Sequence, residues 1–264
     1  MNFEWIKTLA AIMAVGDKVS PRGKQTLELP HHRVVVNMKW PVLTIPERKL
    51  SYRFMAAEAY WILSGSNKVD DIAPWNKRIA DFSDNGESFF GAYGPRIESQ
   101  IDYVCRKLVD DVNTRQACMT IWKENPPATK DVPCTVAITA SIRKGNELNI
   151  HVFMRSSDAW LGLPYDVFNF TMLGYKICAR IREQYGTLLH PGMLYVTAAS
   201  SHLYQEQWDE ATAIVEKYGK AMYFPQSVEP PVVMFKSEDV LMECLRVLRE
   251  TSPGDKERWW ERAS

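Results

Sequence analysis

The tightest constraint on this chain is a pair of alternating segments joined by three turn residues. Thr135–Ile142 sets Val136, Ile138, Ala140 and Ile142 on one phase, and Leu148–Met154 does the same with Leu148, Ile150, Val152 and Met154. Lys144-Gly145-Asn146 between them supplies turn chemistry, so the two segments read as a β-hairpin with one buried face. Arg33–Met38 and Met193–Ala198 read as further strands.

Helical periodicity supplies the second layer. Ile97, Ile101, Val104 and Leu108 share one helical face. Val167, Phe170, Gly174, Ile177, Cys178 and Ile181 share another, in a helix ended by Gly186. Further helices are expected from Leu9 to Val15, from about His202 towards Gly219, and over Asp239–Glu250. Asn125–Lys130 and Pro225–Pro231 read as loops rather than domain boundaries. The expectation is a single α+β domain over residues 1–264, with helices packed on one face of a sheet.

Composition narrows the function. The 264 residues carry 32 Lys plus Arg and 32 Asp plus Glu, so no basic excess drives strong nucleic-acid binding. Five cysteines (105, 118, 134, 178, 244) form an odd set without CxxC spacing. That argues against a disulfide framework and a zinc site, and for a reducing cytoplasm. The apolar stretch Leu9–Val15 is short and lacks a basic leader, so it does not read as a signal peptide. No apolar run reaches membrane-spanning length.

Several residues have both a bland and a chemical reading. Cys134, after Asp131-Val132-Pro133, is either a small core residue or a nucleophile activated by nearby positive charge. Glu58 sits in the otherwise apolar run Phe54–Leu63. It either reaches solvent or an arginine, or is desolvated and equipped for proton transfer. Arg155-Ser156-Ser157-Asp158 suits a phosphate or a solvated loop, and Asp166 suits a helix N-cap that also faces a ligand. Arg22-Gly23 and Asn113-Thr114-Arg115 are turn-like, and His202-Leu203-Tyr204 marks an element boundary.

Taken in order, these pieces resemble the thymidylate synthase family. The block Arg155-Ser156-Ser157-Asp158-Ala159-Trp160-Leu161-Gly162-Leu163-Pro164-Tyr165-Asp166 is similar to the family's R-S-x-D-x-x-L-G-L-P-F-N. Pro133-Cys134 resembles its Pro-Cys nucleophile, and Glu58-Ala59-Tyr60-Trp61-Ile62-Leu63-Ser64-Gly65 its E-L-L-W-F-L-x-G helix. Tyr93-Gly94 and His202-Leu203-Tyr204 match as well. The resemblance implies a three-layer α+β fold with a mixed sheet, paired through that sheet into a homodimer. It makes Cys134 the nucleophile at C6 of a pyrimidine nucleoside monophosphate, with Glu58, Tyr93 and Asp166 catalytic. Arg22, Arg155 and Ser156 would hold the phosphate, with Arg115 from the partner subunit, and their charge would lower the thiol pKa. His202 and Tyr204 would hold the sugar. Asp158, Gly162, Tyr165 and Glu58 would face the cosubstrate, 5,10-methylenetetrahydrofolate. No metal is implied.

The departures point within the family. Asp166 stands where thymidylate synthases use Asn to read uracil. An ionised carboxylate cannot donate to uracil O4 but accepts from the 4-amino group of cytosine. Leaving two acceptors face to face costs roughly 1–3 kcal/mol. Thr135 replaces the His after the catalytic Cys, and Gln116 replaces one phosphate-site arginine. Both Asp166 and Thr135 resemble the phage deoxycytidylate hydroxymethylases. The ending Glu257–Ser264 does not resemble the apolar tail that seals the thymidylate synthase site, although Trp259 and Trp260 could form another lid. The expectation is hydroxymethyl transfer to dCMP. The alternatives are reductive methylation of dCMP, a dUMP or CMP hydroxymethylase, and a non-catalytic nucleotide- or RNA-binding relative.

Overall fold

A computed structural model describes residues 1–219 and 237–251. In chain order the elements are helix α1 (Asn2–Val15), strands β1 (Asp17–Val19) and β2 (Thr26–Asn37), and helices α2 (Tyr52–Leu63), α3 (Gly94–Glu98) and α4 (Ile101–Asp110). Strands β3 (Cys118–Thr120), β4 (Thr135–Arg143), β5 (Glu147–Met154) and β6 (Ser157–Asp158) follow. Helix α5 (Leu163–Tyr185), strand β7 (His190–Tyr204) and helices α6 (Trp208–Tyr218) and α7 (Glu238–Thr251) complete the described chain. The loop expected at Pro225–Pro231 and the ending with Trp259 and Trp260 lie outside the described residues.

The strands form one mixed sheet in the order β1-β2-β7-β5-β4-β3, with β6 paired beside β7. The β4–β5 hairpin turns through Lys144 and Gly145, both at positive φ (50° and 88°), as its turn residues require. Val136 leaves the expected buried stripe. A register shift between Thr135 and Ala137 inserts it as an extra residue, and it is exposed. From β5 the chain crosses over through α5 and returns parallel to it as β7, the connection parallel strands need.

α5 is buried on most of its circumference because it lies between the sheet and α2, and α7 covers α2 in turn. α1 packs on β2 and α6. The sheet's other face carries half-exposed side chains, among them Phe153 and a Tyr195 ring stacked on His151 at 4.6 Å. The architecture is therefore α+β in layers.

Three sequence expectations are displaced. The face formed by Ile97, Ile101, Val104 and Leu108 spans two helices, α3 and α4, rather than one. α5 begins at Leu163 with Gly162 at its N-cap, so Asp166 lies inside the first turn and caps nothing. His202 and Tyr204 belong to the end of β7, which runs well past Ala198, and the following helix starts only at Trp208. Pairing with β2 along nearly its whole length extends β7.

Candidate active site

Two adjoining depressions collect most of the candidate residues. The larger, a groove of about 990 Å³, is lined by Arg22, Cys134, Arg155, Ser156, Asp158, His202 and Tyr204, with Lys130 and Trp122. The smaller, a cavity of about 170 Å³, is lined by Glu58, Tyr93 and Asp166 among the aromatic and aliphatic walls Trp61, Ile62, Ile79, Phe82 and Phe89. Phe82 borders both.

Sheet register builds the groove. Parallel pairing of Asp158 with His202 and antiparallel pairing of Thr26 with Tyr204 gather three strand ends there. His202 and Tyr204, two residues apart, share one face and meet edge to face at 5.2 Å. His202 Nδ1 lies 3.5 Å from Ser156 Oγ. Burial lowers the His202 pKa, with the Asp158 carboxylate pulling the other way. Asp158 Oδ1 accepts the amides of Trp160 and Leu161, each at 2.8 Å, and so shapes the turn into α5. Arg22 adopts the left-handed conformation (φ 55°), which costs a non-glycine residue about 1 kcal/mol.

Cys134 precedes β4 in the groove wall. Arg155 donates from Nε to the Pro133 carbonyl (3.0 Å) and from Nη2 to the Val132 carbonyl (2.9 Å), with Nη2 3.8 Å from Cys134 Sγ. This anchored guanidinium favours the thiolate, but it does not prevail. Burial, with the carboxylates Asp166, Asp131 and Asp158, pushes the thiol pKa up. The expectation of a thiol acidified by an arginine cluster is corrected: of the expected arginines, Arg155 is the one that favours the thiolate within this chain, and burial outweighs it.

Glu58 is half-buried where α2 is covered by both α5 and α7, and it lines the cavity. Enclosure pushes its pKa up to about 7, offset in part by a hydrogen bond from Asn169 Nδ2 to Oε2 (2.7 Å). Asp166 is raised well above the usual carboxylate range by enclosure, then by the charges of Glu58 and Asp158. Tyr93 accepts the Thr135 amide on its hydroxyl (3.2 Å) and is raised by burial. Gly94 brings Tyr93 close to α2: a Cβ there would lie 2.8 Å from the carbonyls of Ile62 and Ser66.

Gly162 and Tyr165, expected to face the cosubstrate, line neither depression, although a Cβ on Gly162 would lie 3.4 Å from Asp166 Oδ2. Tyr165 accepts the Ser51 amide (3.2 Å) and packs edge to face on Phe54 at 5.2 Å. Arg115 stands apart, in a separate depression with Lys107, Asp110 and Gln116. Two polar side chains of the cavity, Asn169 and Asp131, were not among the expected site residues. Asn169 was signalled by its place one turn beyond Asp166 in an apolar helical run. Asp131, which accepts the Gly91 amide at 2.6 Å, had no such signal.

The cavity's apolar walls suit the faces of a ring, and its carboxyls, Glu58, Asp131 and Asp166, suit the N–H groups of a nitrogen heterocycle. Among the described residues no group of His, Cys, Asp or Glu is arranged to hold a metal ion, and no helix is long and apolar enough to cross a membrane.

Comparison with known proteins adds an independent line. A deoxyuridylate hydroxymethyltransferase of Bacillus phage SP01 is 28% identical over 259 residues, covering 87% of this chain and 63% of that protein. One of Delftia phage PhiW-14 is 28% identical over 218 residues (76% and 58%), and one of Pseudomonas phage M6 24% over 198 residues (72% and 55%). The chain thus spans less than two thirds of the length of these relatives. The sequence profile of the family described as "Thymidylate synthase" matches residues 4–240, which takes in both depressions. With that match and this fold, the chain belongs to the thymidylate synthase family.

Proposed function

We propose that this protein is a deoxycytidylate 5-hydroxymethyltransferase drawing its one-carbon unit from 5,10-methylenetetrahydrofolate. The observation that carries the reading is Asp166: a carboxyl lining the cavity, with a raised proton affinity and no cation acting on it among the described residues. A carboxyl group and cytosine make two hydrogen bonds when one proton lies between the acid and N3, the other bond running from the 4-amino group. Cytosine N3 is a far stronger base than uracil O4, so a retained proton favours cytosine.

In this reading Cys134 adds to C6, which makes C5 nucleophilic, and Arg155 stabilises the thiolate as it forms. Arg22, Arg155 and Ser156 hold the phosphate and His202 and Tyr204 the sugar. Tyr93 takes part in removing the C5 proton. C5 bonds to the cosubstrate's one-carbon unit, which is at the oxidation level of formaldehyde. With the C5 proton lost, tetrahydrofolate leaves, and water adds to the exocyclic methylene to give the hydroxymethyl group without net redox. Glu58, poised near neutrality, orders that water and moves its proton. Elimination of Cys134 restores the ring. The chain acts as a homodimer through the open sheet face bearing Phe153 and Tyr195, with Arg115 reaching the partner's phosphate site; its separation from the groove supports that role.

A second reading, hydroxymethylation of dUMP, is favoured by the names of the phage relatives. Mass spectrometry of products from dCMP, CMP and dUMP offered together separates the readings. A gain of CH₂O on dCMP is expected. A gain of CH₂ would make the enzyme a reductive methylase, and preferential modification of dUMP would overturn the reading of Asp166.

A further inference from the structure

Glu58 and Asp166 face one cavity from two packed helices, and neither meets a cation among the described residues. Two enclosed carboxyls so placed bind a proton more tightly as a pair than either would alone. Their surroundings differ in one respect. Asn169, itself 5% exposed, donates an amide N–H to Glu58 Oε2 at 2.7 Å, whereas no side chain among the described residues donates to Asp166. An N–H donor stabilises a carboxylate more than the protonated acid, whose carbonyl oxygen is the weaker acceptor.

We propose that Asn169 is a positioning residue that assigns the pair's proton: it holds Glu58 as the anion and leaves the proton with Asp166, where cytosine N3 can receive it. The inference rests on the cytosine reading above and gives it a physical origin in a residue that need not touch the base. The amide also locks the direction of the Glu58 carboxylate, because Asn169 is buried in α5 and cannot swing away without opening the α2–α5 contact. Asn169 Oδ1 is buried and accepts no hydrogen bond from the described residues, an unmet acceptor retained beside the amide donor that Glu58 receives. The other titratable groups lining the cavity are Tyr93, from the start of α3, and Asp131, from the loop before β4 and bonded to the Gly91 amide. Neither is bonded to Asn169.

The test is the pH dependence of kcat/KM for dCMP and dUMP in the wild type, Asn169→Ala and Asn169→Leu, one variant leaving space and one filling it. Thermal unfolding of each reports whether it is folded. Loss of the donor should move the acid limb up by about one pH unit and narrow the preference for dCMP over dUMP about tenfold. A merely structural role would lower the amount of folded protein without moving the limb. An unmoved limb in either folded variant, with dCMP still preferred by the wild type, would overturn the Asn169 assignment alone. A wild-type preference for dUMP would instead remove the cytosine reading beneath it.

Discussion

The two ends of α5 treat charge in opposite ways. Near its start, Asp166 and Glu58 line one cavity, and among the described residues only the neutral Asn169 amide moderates the pair. Three turns later, Lys176 is buried but donates to Glu98 Oε2 at 2.6 Å and to the Leu63 carbonyl at 2.8 Å. Arg180 binds Glu98 (3.0 Å), Asp102 (3.1 Å) and Glu238. Burial works to raise the Glu98 pKa, yet Lys176 and Arg180 hold it below the ordinary value. One end is compensated and ties α3, α4 and α7 to α5. The other is left uncompensated, and uncompensated enclosed acid is what proton transfer near neutral pH requires. The contrast separates groups that hold the fold from groups that the proposed function assigns to the chemistry.

The sharpest way to break this contrast is Glu58→Gln. Its kcat should fall about 10³-fold, read by release of the C5 proton. Stability should move the other way. The folded-state pKa of Glu58, about 7, lies above its unfolded value, so the folded state binds the extra proton and stability declines as pH rises from about 4.5 through about 7. At pH 8 the variant should therefore be more stable, by on the order of 3 kcal/mol, in a denaturant titration. Equal or lower stability at pH 8 would mean that the carboxyl is not strained by its enclosure.

Asp166→Asn comes next. An amide can donate to O4 and accept from N3–H, so the dCMP-to-dUMP ratio of kcat/KM should fall about 10²-fold, as competing turnover would show. The smallest expected effect is at the compensated end. Lys176→Met leaves Glu98 and Glu238 partly exposed but short of a cation and should cost about 2 kcal/mol in chemical denaturation. Its kcat should stay within about threefold of wild type. A large loss of kcat there would dissolve the division between the two ends.

Legibility in the sequence followed the range of the interaction involved. The hairpin, the long helix ended by Gly186 and the helix around Glu58 were readable because periodicity and turn chemistry act over a few residues. Val136 escaped because a bulge changes phase without changing composition. The extent of β7 escaped because the residues after Ala198, Ala199-Ser200-Ser201-His202, carry weak strand propensity, and the strand is carried on to Tyr204 by pairing with β2 and β6.

By itself the sequence determined the layered α+β architecture, the family resemblance and the residue types available for chemistry, all of which are properties of local order. Only the tertiary structure decided which carboxyl lacks a cation, that Asn169 reaches Glu58, that the Cys134 thiol is raised rather than lowered, and that Arg115 stands away from its own groove. Proton affinity depends on enclosure and on charges a few ångströms away, and those neighbours come from helices and loops far apart in the chain.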